Sequence, residues 1–449
     1  MNLCMLVPTA RRSLYVLPYT IILLAGCSRG PSPHPVPVVE VNVDATKVAD
    51  AEPLRIANSD WPQWRGPRGD GTATAQNIPV RWDETTNVAW TADVPGRGHG
   101  SPIVVGSAVY LASAVSDQQR QVVLAFDRAT GKRRWETVVH EGGFPDRSEI
   151  HPKGSQANGT LACDGRSVFA VFLNSGRIFA TALDGDGKRL WQQEVGAFSS
   201  KFGYAPSPIL YKSTVIVSAD NWGGGYIAAL HRQNGQVIWR KKRPAVSTYS
   251  SPLLAFVGGR DQLVITGCNR LVSYNPGTGD ELWSCSAIAE STCGTPVTDG
   301  SAIFASGGSP ERETICVKGD GSGQTVWSNN TKVYEPSMVA TGEFVFAVTD
   351  EGIAWCWSAK TGDVLWKQRL GASFSASPVA CAGRIYVPNL SGETIVFEAK
   401  GDAYHELSRN PLGNDNYASP AVSGNDLLLR VGFGEGSERK ERLVCIRQP

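Results

Sequence analysis

The stretch Val122-Val-Leu-Ala-Phe-Asp-Arg-Ala-Thr-Gly131-Lys-Arg-Arg-Trp135 decides the fold. Its apolar run has the length and β-branched content of a strand, its glycine supplies the positive φ of a tight turn, and its tryptophan is a large ring at a fixed offset. The same Gly-x-x-x-Trp ending recurs at Gly187 and Trp191, Gly235 and Trp239, Gly279 and Trp283, Gly323 and Trp327, and Gly362 and Trp366. Two further apolar runs precede it in the first unit, Ser101-Pro-Ile-Val-Val-Gly106 and Ala108-Val-Tyr-Leu-Ala112. Each unit is thus a short run of strands ending on a tryptophan suited to fill a wedge against its neighbour.

Unit starts are legible at Ser101, Thr160, Ser207, Ser251, Thr295, Ser337, Ser377 and Ser419, spaced 40 to 59 residues apart and 40 to 44 after the third. That is the period of a four-stranded propeller blade, longer than the rung of a solenoid. The Ser-Pro pairs read as turn residues leading into strands. The last unit offers only three runs, at 418–422, 426–431 and 443–447, whereas Asn87-Val-Ala-Trp90-Thr-Ala-Asp-Val94 near the other end looks like a stray fourth strand. The expectation is an all-β, eight-bladed β-propeller of four-stranded antiparallel blades, closed by pairing that N-terminal strand with the C-terminal blade, which leaves no open sheet edge at the seam. Trp90, Trp135, Trp191, Trp239, Trp283, Trp327 and Trp366 are its docking tryptophans.

Composition agrees: of 449 residues 19% are charged and 48 are glycine, below and above the usual globular shares respectively, as in turn-rich β proteins. The net charge of +1 gives no electrostatic reason for nucleic-acid binding. Arg11 and Arg12 precede an apolar stretch, 14–26, too short to span a bilayer and suited to a signal peptide over residues 1–26. Arg11 and Arg12 are the charged residues removed with it, so the mature chain holds one more acid than base. Residues 27–59, with Pro31, Pro33, Pro35 and Pro37, read as a flexible tether, and 60–449 as the propeller domain.

On these residues the chain resembles two families. Leu24-Ala25-Gly26-Cys27 resembles the lipobox of bacterial lipoproteins, which implies cleavage before Cys27 and its acylation; Ser28 in place of aspartate then implies the outer membrane. The alanine, glycine and tryptophan spacing of Ala125, Gly131 and Trp135, repeated at Ala229, Gly235 and Trp239, is similar to the quinoprotein (PQQ) repeat. Ser273, Val317 and Cys356 stand where that pattern has alanine, and the stretch near His405 lacks the tryptophan. Trp61-Pro-Gln-Trp-Arg-Gly-Pro-Arg-Gly-Asp-Gly71 resembles the opening of many exported propellers of this kind.

For chemistry the residues offer little. The quinoprotein dehydrogenases, by resemblance, hold pyrroloquinoline quinone and calcium beside a pair of adjacent cysteines, and here no two cysteines are adjacent. The histidines have no metal-ligand spacing, so no metal and no catalytic residue is assigned. Cys285 and Cys293 are the first pair to test for a disulfide, and His140 and His151 bracket a polar insertion, 141–155, where binding often lies. Residues just before the unit starts, His99, Gln156, Tyr204, Tyr249, Tyr334, Glu335, Phe374 and Tyr417, are expected to ring the central channel as an amphipathic mouth. The leading reading is a non-catalytic, monomeric, lipid-anchored scaffold for protein partners on the periplasmic side of the outer membrane or the cell surface, with no cofactor; it resembles exported lipoproteins of the BamB type. The alternatives are a PQQ- and calcium-dependent oxidoreductase and a carbohydrate-binding or sensor propeller.

Overall fold

The computed structural model describes residues 37–42 and 53–448. Cys27 and the signal peptide lie outside them. Eight sheets follow one another around an axis. In the first, Ile103–Val105 lies innermost, followed outward by Ala108–Val115, Arg120–Asp127 and Arg133–Glu141, each antiparallel to its neighbour. The inner strand of this blade lies against those of both the second and the eighth, so the ring is closed. Among the described residues no helix is long and apolar enough to cross a membrane.

Closure occurs at the expected strand. Val88–Val94 forms the outermost strand of the eighth blade, antiparallel to Lys440–Ile446, with Trp90 opposite Cys445. The seventh blade departs from four strands: Thr72–Ala73 adds a fifth on its inner side, parallel to Val379–Cys381. This short strand is the chain leaving the axis.

Each wedge between blades is filled by a tryptophan reaching forward. Trp90 Nε1 donates to the Arg128 carbonyl at 2.9 Å, and its ring lies under Gly131 of the first blade. A Cβ there would stand 2.3 Å from Trp90 Cε3, so glycine is required both by its φ of 71° and by the ring beneath it. Trp135 under Gly187, Trp191 under Gly235, Trp239 under Gly279 and Trp327 under Gly362 repeat the arrangement. The glycine of one unit therefore serves the tryptophan of the unit before it.

Two wedges differ. Trp283 donates to Gln262 Oε1 at 2.6 Å inside its own blade, and the Gln262 amide donates to the Gly319 carbonyl of the fifth blade at 3.1 Å. Ser273 at the alanine position makes this possible by donating to the same Gln262 oxygen at 2.8 Å. The seventh blade has no tryptophan in its outer strand, Glu406–Pro411. Trp82 from the N-terminal segment is buried there instead, stacked 6.3 Å from Tyr386, with its backbone N–H bound to Asn410 Oδ1 at 3.0 Å. One pairing also corrects the sequence reading: Cys316, not Val317, faces Trp327, because the turn of the fifth blade holds one more residue than that of the first.

The segment from Ser59 to Ala73, read only as a familiar opening, is the hub of the ring. Ser59 O accepts from Gly424 in the eighth blade and Trp61 bridges Val104 in the first. Pro62 O accepts from Cys163 in the second and Gln63 Oε1 from Leu210 in the third. Trp64 Nε1 donates to Thr295 at the start of the fifth, at 2.9 Å. Buried Arg65 donates to the carbonyls of Met338 before the sixth and Pro378 before the seventh, at 2.5 and 3.2 Å. A Cβ on Gly69 would meet Leu253 of the fourth. Fifteen consecutive residues thus reach all eight blades. Burial pulls the Arg65 guanidinium down to about 10, opposed by Asp70, yet it remains charged at neutral pH and its carbonyl partners answer that charge.

Part of the segment read as tether also lies on the propeller: Val41 and Arg240 exchange backbone hydrogen bonds of 3.1 and 3.0 Å at the outer edge of the third blade. All eight cysteines of the described residues are free, Cys285 and Cys293 included.

Trp90→Ala removes both a wedge and part of the closing strand. It should cost about 3–5 kcal/mol in urea unfolding, the usual range for a buried tryptophan, and a loss under 1 kcal/mol would contradict this packing. Deleting residues 60–95 should leave an insoluble or oligomerising product on size-exclusion chromatography, because hub, seventh wedge and closing strand are lost together.

Candidate functional site: a blind cavity on the axis

The eight unit starts do more than turn the chain. The backbone N–H of six of them donates to the hydroxyl of the next as a clasp: Ser101 to Thr160, Thr160 to Ser207, Ser207 to Ser251, Thr295 to Ser337, Ser337 to Ser377 and Ser377 to Ser419, at 2.8 to 3.0 Å. Between the fourth and fifth blades Ser250 Oγ donates to the Gly294 carbonyl instead. Each bond is worth about 1 kcal/mol net, and together they fix how far every inner strand stands from the axis.

Extended chain alternates its side chains, so the residue two before each clasp faces the channel. The structure places His99, Tyr249, Glu335 and Tyr417 on this ring, and with them Asn158, Ala205, Cys293 and Ser375, which the sequence reading missed. Tyr334, one residue further back, also lines the cavity. Three expected members are elsewhere. Tyr204 and Phe374 stand three residues before their clasps and turn into the blade cores, Tyr204 donating to the Ser218 carbonyl. Gln156 stands four before, between Pro145 and Gln121.

The cavity measures about 230 Å³. Trp64 of the hub lies at its closed end, and Phe202, Tyr249, Tyr334 and Tyr417 contribute rings to its walls. His99 stacks on Tyr417 at 4.4 Å and 6°, with the Arg97 guanidinium 5.3 Å from the same ring. Burial first, then the nearby Arg97 and Arg430, hold the His99 imidazole well below its usual range, so it is neutral. His151 is lowered by burial against the opposing pull of Glu335. The charged side chains of the lining are Lys153 and Glu335, and they pair at 2.7 Å; Ser375 also donates to Glu335. Burial pushes the Cys293 thiol up to about 12, so it is no thiolate nucleophile.

This donor set does not fit a calcium-bound quinone. The cavity carboxylate is committed to Lys153 and Ser375, Cys293 has no adjacent cysteine, and among the described residues no three His, Cys, Asp or Glu side chains converge on a common point.

The family model described as outer membrane protein assembly factor BamB matches residues 72–201, 120–368 and 313–446. The outer membrane protein assembly factor BamB of Burkholderia pseudomallei (strain K96243) is 25% identical over 389 residues, 81% of this chain and 91% of its own length. Among solved structures, the quinohemoprotein alcohol dehydrogenase of Comamonas testosteroni superposes with a TM-score of 0.64 at 14% identity, covering 91% of this chain and 83% of its own. BamB from Moraxella catarrhalis gives 0.54 at 16% identity, over 83% and 98%. At such identities the two structures share the fold with this chain.

A pH dependence follows from His140, at the edge of the 141–155 insertion, whose ring packs on Phe172 and Phe179 and whose imidazole burial lowers to about 4. The unfolded chain, with its histidine near 6.5, takes up the proton first, so the stability this group contributes is whole above that pH and is lost as pH falls toward 4. The urea midpoint should drop from pH 7 to pH 5, and by less in His140→Gln; equal drops would contradict the assignment.

Proposed function

Because the chain belongs to the outer membrane protein assembly factor BamB family, we propose that it is a non-catalytic, lipid-anchored propeller that holds protein partners of outer-membrane protein assembly on a rigid disc. The family match, running from the hub strand at residue 72 almost to the C-terminus, is the observation that carries this reading. The site supports it: the ionic groups of the axial cavity neutralise each other, and no side chain there is poised as a base or nucleophile. Hub, clasps and wedges hold the surface loops on an over-determined frame, which lowers the entropy cost of presenting them to a partner.

The anchor at Cys27 belongs to the same proposal. Acyl chains, at about 0.8 kcal/mol per buried methylene, keep a soluble domain at a membrane without a spanning helix.

Affinity purification from native membranes should return outer-membrane assembly components in stable amounts, while the protein reconstituted with pyrroloquinoline quinone and calcium should show no dye-linked alcohol oxidation. Turnover with the quinone and no co-purifying partner would reverse the reading. Cys27→Ala should abolish the acyl mass increment and move the protein to the soluble fraction; an unchanged mass and membrane fraction would remove the anchor.

A further inference from the structure

The 141–155 insertion follows the first blade, and Glu335 lies between the fifth and the sixth. In a ring of eight these positions are four blades apart, on opposite sides of the axis. The Lys153–Glu335 ion pair therefore runs across the mouth of the cavity rather than along its rim. The insertion is held in place on the way. Asp146 and Glu149 close a reciprocal cap, Arg147 donates to the carbonyls of His151 and Pro152, and the His151 ring meets Phe202 edge-on at 5.0 Å. It is a strap latched at its far end by one half-buried ion pair.

What lies beneath the strap selects by size and charge. A volume of about 230 Å³ is below the roughly 300–1,000 Å³ of sites that take whole small-molecule ligands. It suits one side chain. The walls are aromatic, with Trp64 at the closed end, and rings pack favourably on rings. The lining's own charges, Lys153 and Glu335, are spent on each other and His99 is neutral, so an ionic group entering the cavity would give up its water without an unpaired counter-charge among the lining residues.

We propose that this cavity is a socket for a single uncharged aromatic side chain of an extended polypeptide, and that the 141–155 strap, latched by Lys153 and Glu335, closes over the peptide that carries it. The polypeptide nature of the ligand rests on the scaffold reading above; the socket's size, walls and neutrality do not. Breaking the latch changes how fast the side chain enters and leaves, whereas filling the cavity removes binding.

The test uses the full chain and a blocked tripeptide, acetyl-glycyl-(4-fluorophenylalanyl)-glycine amide, followed by fluorine-19 NMR. The wild type should show a saturable shift. Ala205→Phe and, independently, Cys293→Phe fill the socket without touching the hydroxyl clasps and should weaken binding at least tenfold. Lys153→Met should raise the exchange rate at least threefold, and the 4-carboxyphenylalanyl analogue should bind at least tenfold more weakly. Equal titrations of the wild type and both filled variants, equal affinity for the charged analogue, or no saturable binding by either the wild type or Lys153→Met would overturn the socket. The two readings fail separately. Tripeptide binding by a protein that captures no envelope partner would sink the scaffold and leave the socket, and partner capture without tripeptide binding would do the reverse.

Discussion

A ring of blades has no last member, and that constraint governs the rest of this structure. Five tryptophans lie under the next blade's glycine turn, the eighth blade's Trp90 under Gly131 of the first among them, so the eighth blade must find its partner in the first and its sheet is complete only when the two chain ends meet. The N-terminal segment resolves this in three ways at once: Val88–Val94 completes the last sheet, Trp82 fills the wedge left by the seventh blade, and residues 59–73 run through the centre and touch every blade. These contacts span more than 300 residues of sequence, as between Trp82 and Asn410 or Arg65 and Pro378. Closing loops of that length carries an entropy cost that the packed ring offsets.

Local chemistry follows from that frame. The hydroxyl clasps hold each inner strand at a set radius, and alternation then turns one side chain per blade toward the axis. The hub closes one end of the channel with Trp64, converting a pore into a cavity. The result is a neutral, aromatic, water-accessible recess on a frame with little freedom to relax. Such a recess is suited to binding and poorly equipped for general acid–base chemistry, since its carboxylate and ammonium are spent on each other.

The sequence made the periodic part of this plain. Tryptophans at a fixed distance from a glycine, eight unit starts and the displaced strand around Trp90 each carry a local signal, and together they specify blade number, order and closure. The hub carried none: Trp61 to Gly71 is rich in glycine and proline, has no alternation, and draws all its meaning from partners hundreds of residues away. The expected ring mixes residues two and three before the unit starts, with Gln156 one further back, and only the first of these registers faces the axis consistently. Tyr204 and Phe374 therefore went to the cores, and small Ala205, Cys293 and Ser375 passed unnoticed because nothing in their residue types suggests a site. Trp283 shows the other limit: its spacing from Gly279 is that of the other units, but Gln262 and Ser273 redirect the indole into its own blade.

The central claim is that hub and closing strand are integral to the ring. Native-state hydrogen exchange tests it most directly by comparing the amides that bind the hub, Cys163, Leu210 and Ala380, with those of Trp90–Val94 and of the eighth-blade core. If the claim holds, all of them open in one cooperative unit with the same free energy and the same denaturant dependence. Early exchange of Trp90–Val94 and of the hub-bound amides, with the blade cores still protected, would show a ring that stands without its N-terminal segment and would contradict it.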